Sequence, residues 1–148
     1  MRISPPRILV AAVLASLLTI AGCKGPSLVF ADTVEGTLTL DGRPVPNALV
    51  QFYPEVPEGT KAPSSSGTTD DKGFFRLTRS DVSKPGALVG RHKVIIAAGR
   101  AGGDRDNPEA GASVKVPKEY TNANTTPFTV EVTQDKKTYD LPMNRAGR

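Results

Sequence analysis

Few residues in this 148-residue chain are able to do chemistry, because it has a single thiol, Cys23, and a single imidazole, His92. A tetrahedral zinc site draws on several Cys and His side chains, so these two cannot build one. A serine nucleophile needs a base, and His92 is the sole imidazole. The serines of "SSSG" at 64–67 lack the G-x-S-x-G elbow and read as solvated linker. Asp70 and Asp71 sit in a hairpin motif, where aspartate commonly serves backbone hydrogen bonding. Asp104, Asp106, Asn107 and Glu109 in "GGDRDNPE" are hard oxygen donors of the kind calcium takes, but they lack the spacing of a calcium loop, and Arg105 interrupts their charge. Walker and Rossmann glycine motifs are missing. The chain has no tryptophan and few aromatic residues, which argues against a stacking platform for sugars. The inventory points away from an enzyme, and no catalytic set, resident metal or cofactor is expected.

Cys23 has a distinctive setting. Arg2 and Arg7 precede an uncharged apolar run from Ile8 to Ile20, and the small residues Ala21 and Gly22 lead into the cysteine. A charged end, a short apolar centre and a small-residue cleavage site make an export signal. The competing reading is a transmembrane anchor, but Ile8–Ile20 falls short of the ~20 apolar residues needed to span ~30 Å of hydrocarbon, and Lys24 and Gly25 end the run. "IAGC" at 20–23 resembles the lipobox of bacterial lipoproteins. The resemblance implies cleavage between Gly22 and Cys23, a diacylglyceryl group on the Cys23 thiol, and often a further acyl chain on the freed amine. The expected partners are therefore the membrane, reached through this lipid, and the lipoprotein-processing enzymes. Lys24 stands where inner-membrane lipoproteins commonly carry aspartate, so the resemblance points to outer-membrane delivery in a two-membrane envelope. The expected location is a bacterial membrane, facing the periplasm or the cell exterior.

Removal of residues 1–22 leaves 126 of the 148 residues, a suitable size for one domain. Arg2 and Arg7 leave with the signal, so the formal net charge falls from +4 to about +2, too weak and scattered to imply a nucleic-acid partner. With one cysteine there can be no internal disulfide, and the fold must be held by its core. Lys24 to Asp32 is expected to be a short tether within residues 23–32, followed by a domain over 33–143 and a tail over 144–148.

The domain reads as strands. Alternation places Val34, Gly36, Leu38 and Leu40 on one face of "TVEGTLTL" and the polar residues on the other. The same period predicts inward Ala48, Val50 and Phe52; Phe75 and Leu77; His92, Val94 and Ile96; Phe128, Val130 and Val132; and Tyr139 and Leu141. "SGTTD" at 66–70 adds a short strand. The expectation is an all-β, seven-stranded antiparallel Greek-key sandwich following an N-terminal signal helix. Asp41 with Gly42, and Asp70 with Gly73, mark structural turns. Residues 54–66 and 99–113 read as loops, with Tyr120 packing back on the edge of the sandwich. If each connection reverses the chain, the loops at 41–47, 70–73 and 99–126 share the end opposite the start of the first strand.

These segments, in this order, resemble the carboxypeptidase-regulatory-like, or transthyretin-like, domains of bacterial lipoproteins. Gly36, Asp41, Gly42, Pro44, Ala48, Val50 and Phe52 match the pattern G-x-V-x-x-D-G-x-P-x-x-x-A-x-V-x-F. Thr69, Gly73 and Phe75 match T-x-x-x-G-x-F, and Gly90 and Val94 match G-x-Y-x-V. The likeness covers roughly residues 34–142 and implies a sandwich of the prealbumin, Ig-like type. His92 stands where that pattern has tyrosine, and a role like that of a tyrosine corner, through one ring nitrogen, is expected for it. The enzymes of related fold use sets this chain lacks: the hydroxyisourate hydrolase needs several histidines and a C-terminal Tyr-Arg-Gly-Ser, and the intradiol dioxygenases need two histidines and two tyrosines. The function expected is that of a non-enzymatic, lipid-anchored cell-envelope protein, a binding or structural module. The alternative is a carbohydrate- or peptide-binding lipoprotein that uses the loop end, with an envelope protein or glycan as partner; an enzyme with an unrecognised site ranks behind both.

Overall fold

The computed structural model describes residues 27–98 and 115–145, and the segment 99–113 lies outside them. In chain order the strands are β1 (Phe30–Ala31), β2 (Glu35–Leu40), β3 (Arg43–Pro44), β4 (Ala48–Pro54), β5 (Ser65–Thr68), β6 (Phe74–Arg76), β7 (Thr78–Arg79), β8 (Ala87–Leu88) and β9 (Gly90–Ala98). A 3-10 helix, Lys118–Thr121, precedes β10 (Thr129–Val132) and β11 (Leu141–Met143). The fold is all-β and mostly antiparallel. One sheet runs β10-β9-β4-β5-β7; a second has β2 between β11 on one edge and β3 and β6 on the other; β1 pairs with β8.

Period-two patterning explains why these segments are strands. Leu38 and Leu40 in β2, Ala48, Val50 and Phe52 in β4, and His92, Val94 and Ile96 in β9 are buried, while the residues between them are at least partly exposed. Side chains of both sheets enter one core that includes Phe52 and Ile96 from the first and Leu38, Phe75 and Met143 from the second. The rings of Phe52 and Phe75 lie 6.4 Å apart across it. Phe128 and Val130 are only half-buried and pack on its margin. Tyr120 is buried against Phe128, with ring centroids 5.0 Å apart.

Several expectations are changed. Eleven strands replace seven among the described residues: one expected strand is divided in two, and β1, β3 and β8 are two-residue pairings in segments where no strand was expected. The segment Phe74–Arg79 is divided at Leu77: β6 pairs with β2, whereas β7 pairs with β5 in the other sheet. Leu77 is fully buried at the division, so this stretch crosses from one sheet to the other around a core side chain. β11 is parallel to β2, not antiparallel. After β10 the chain leaves the five-stranded sheet and meets the second one at Thr138, beside Glu35 at the start of β2, and so runs in the same direction.

The expected tether is also shortened. Phe30 and Ala31 pair with Leu88 and Ala87, and Ala31 is buried. Arg79 locks this strand in place. Its guanidinium lies 3.4 Å from the centre of the Phe30 ring and donates to both carboxylate oxygens of Asp81. Ser65 and Ser66 belong to β5, with Ser65 buried, so they are not solvated linker. At the other terminus, the backbone N–H and guanidinium of Arg145 both donate to the carboxylate of Asp41, holding part of the expected tail on the domain.

Gly36 is required for close backbone approach. A Cβ there would overlap the carbonyl oxygen of Tyr139 and press on the Phe75 ring. Gly36→Ala is therefore expected to destabilise the domain by about 3 kcal/mol through overpacking, seen as a lower urea midpoint with the same slope. Gly42→Ala, where a Cβ meets nothing but φ is +78°, should cost about 1 kcal/mol.

Candidate functional site

The strand registers define two ends of the molecule. Ala48 pairs with Ala98, Asn47 N–H donates to the Thr69 carbonyl, and Leu38 N–H donates to the Gly73 carbonyl. The turns at 41–47 and 70–73 and the last described residue of β9 therefore share one end. Pro54 pairs with His92, Ser65 with Arg79, and Leu77 N–H donates to the Val34 carbonyl. The second end thus holds β1 and the loops at 55–64, 80–86 and 133–137.

At the first end, the turn residues act through their backbones and carboxylates. Asp41 and Gly42 have φ of +51° and +78°, a left-handed pair that reverses β2 into β3. The Asp70 carboxylate accepts from the backbone N–H groups of Lys72 and Phe74, closing the turn onto Gly73 at φ +75°. Asp41 and Asp70 are thus committed to chain reversal. Asp71 is exposed beside this turn. Gly22 and Cys23, and the oxygen donors from Asp104 to Glu109, lie outside the described residues.

At the second end lies the most unusual side chain. His92 is completely buried and rests on Phe52 with ring centroids 5.7 Å apart. Its Nε2–H donates to the Leu88 carbonyl at 2.7 Å. A carbonyl can only accept, so the proton resides on Nε2 and leaves Nδ1 as an acceptor. That Nδ1 is buried with no hydrogen-bond partner among the described residues. Burial pushes the His92 pKa below its ordinary value, against the opposing pull of the Leu88 carbonyl and of Glu131 and Glu55. Both carboxylates lie 3.9 Å from Arg91 Nε. The result is a neutral imidazole used as a core ring with one backbone tie, poorly suited to general acid–base work on a solvent-borne substrate.

Ties from a side chain to the backbone, expected at His92 through a ring nitrogen, are also made by hydroxyls elsewhere. Tyr139 Oη donates to the Lys136 carbonyl and accepts from Thr133 N–H. Tyr120 Oη accepts from Asn144 N–H. Thr69 Oγ1 accepts from Ala48 N–H, and Thr126 Oγ1 donates to the Val94 carbonyl at 2.6 Å. In sequence nothing distinguishes Thr126 from its neighbour Thr125; only the paired strands set it apart. Among the described residues, no three His, Cys, Asp or Glu side chains come together as a metal-binding group.

No protein-family model, curated protein or solved structure matches the chain.

The sole histidine makes the site testable by pH. Because its folded pKa is depressed, the unfolded chain takes up the proton first as pH falls. The contribution of neutral His92 is fully present above the unfolded pKa near 6.5 and is lost as pH falls through the lower folded value. Unfolding free energy should therefore decline from pH 7.5 to 5.5, and His92→Phe should flatten that decline. His92→Ala is expected to cost about 2–4 kcal/mol by opening a cavity and freeing the Leu88 carbonyl. Urea titrations across that pH range check both outcomes.

Proposed function

We propose that the protein is a non-enzymatic, lipid-anchored module of the bacterial cell envelope, with a domain of the carboxypeptidase-regulatory-like, transthyretin-like Greek-key sandwich type. The observation that carries this reading is "IAGC" closing a short apolar run, with the first strand of the β-domain only seven residues beyond Cys23, at Phe30. A thiol at that point is the group that forms a thioether with diacylglycerol. Each buried methylene contributes ~0.8 kcal/mol, so one acyl chain holds marginally and two or more hold stably.

The domain type is supported by two sheets that share one core and by the chain crossings at Leu77 and after β10. The positive φ of Gly42 and Gly73 gives the glycines of the resemblance a physical reason. The non-enzymatic part rests on the two reactive side chains of the sequence. His92 is spent on the Leu88 carbonyl and the Phe52 ring, and Cys23 is assigned to lipid.

Metabolic labelling with palmitate is the test. The wild-type chain is expected to incorporate label and to sediment with membranes, whereas Cys23→Ser should do neither. Label retained in the Cys23→Ser protein would refute the anchor.

A further inference from the structure

We propose that the end of the domain at which β1 enters seats on the lipid headgroups, with Leu28, Val29 and Val82 as its apolar contacts. This deepens the lipid-anchored reading and rests on it. The first argument is reach. Five peptide units separate Cys23 from Leu28, a contour of at most ~18 Å. The headgroup layer itself is ~5–8 Å thick on each side of the hydrocarbon. The nine residues of β9 extend ~30 Å from one end of the domain towards the other. A tether of that reach keeps the entry end within ~10 Å of the headgroup surface and is too short to let the far end seat there in its place.

The second argument is what this end displays. Four large hydrophobic side chains are exposed among the described residues, and two of them, Val29 and Val82, each 47% accessible, are here. Both are held by the backbone. The Val29 carbonyl accepts from Val89 N–H, and Val82 tops a turn closed by Ser83 N–H to the Arg79 carbonyl and Arg79 N–H to the Lys84 carbonyl. Leu28 borders an open concavity of about 570 Å³ shared with Lys61, Ala62, Pro63, Ser80 and Asp81. Exposed apolar side chains on hydrogen-bonded backbone suit insertion at the level of headgroups.

Charge is the third argument. Asp81 is neutralised by Arg79 at 2.6 Å, while Lys61 and Lys84 take part in none of the ion pairs among the described residues. Lys24 adjoins the anchor itself. Glu58 shares the loop of Lys61, so the attraction to anionic lipid is modest, and tether and apolar contact dominate.

The chain contains no tryptophan, so a single introduced indole reports its own position. The full-length protein, processed in a bacterial host, is reconstituted into phosphatidylethanolamine–phosphatidylglycerol vesicles carrying headgroup-labelled quencher lipid. Val82→Trp is expected to be blue-shifted and quenched about threefold more strongly than Lys72→Trp at the opposite end, with Val29→Trp behaving like Val82→Trp as a second, independent reporter. Equal quenching at both ends in protein that floats with the vesicles overturns the seating and leaves the anchor standing. Protein that carries no palmitate and fails to float overturns both.

Discussion

The contact of Phe52 with Phe75 on one side and His92 on the other holds the architecture together. Phe52 lies on the central strand β4 of one sheet and Phe75 on β6 of the other, and both are fully buried. With one cysteine in the chain, no internal disulfide restrains the unfolded state. The two sheets are held face to face chiefly by the apolar side chains that meet in one core. A histidine at that junction is tolerated because its edge finds the Leu88 carbonyl, although its second nitrogen has no partner among the described residues. That is a local cost set in a well-packed surrounding.

Around this contact the molecule divides its labour by end. The end with Asp41, Gly42, Asp70 and Gly73 is built of tight turns whose carboxylates serve the backbone. The opposite end is where the chain enters, where Arg79 clamps Phe30 and Asp81, and where valines remain exposed. A lipid on Cys23 would give this polarity a meaning: one end faces the bilayer and the other the surrounding envelope. Strands of seven and nine residues, β4 and β9, are the rigid spacers between them.

The short segments that link the sheets carry as much of the fold as the long strands do. The crossing at Leu77 and the return through Thr138 connect the sheets covalently. The close approach of the Tyr139 carbonyl to Gly36 shows how tightly the return strand is laid down. Tyr139 and Tyr120, each tying a hydroxyl to a loop backbone, hold the two connections that flank β10.

Much of this was legible in the residue order. Alternation in "TVEGTLTL", "ALVQFY" and "RHKVIIAA" determined which side chains face the core, because the pleat admits one choice per strand. Aspartate–glycine pairs determined the turns through the conformations they permit. What the sequence could not determine was how the strands pair. The division of Phe74–Arg79 between two sheets, the parallel docking of β11 and the recruitment of Phe30 into β1 depend on contacts between residues far apart in the chain. Local propensity is indifferent to these. The same holds for His92: its type and its inward face follow from the sequence, but its bond to Leu88 and the isolation of its second nitrogen exist only once the strands are assembled around it.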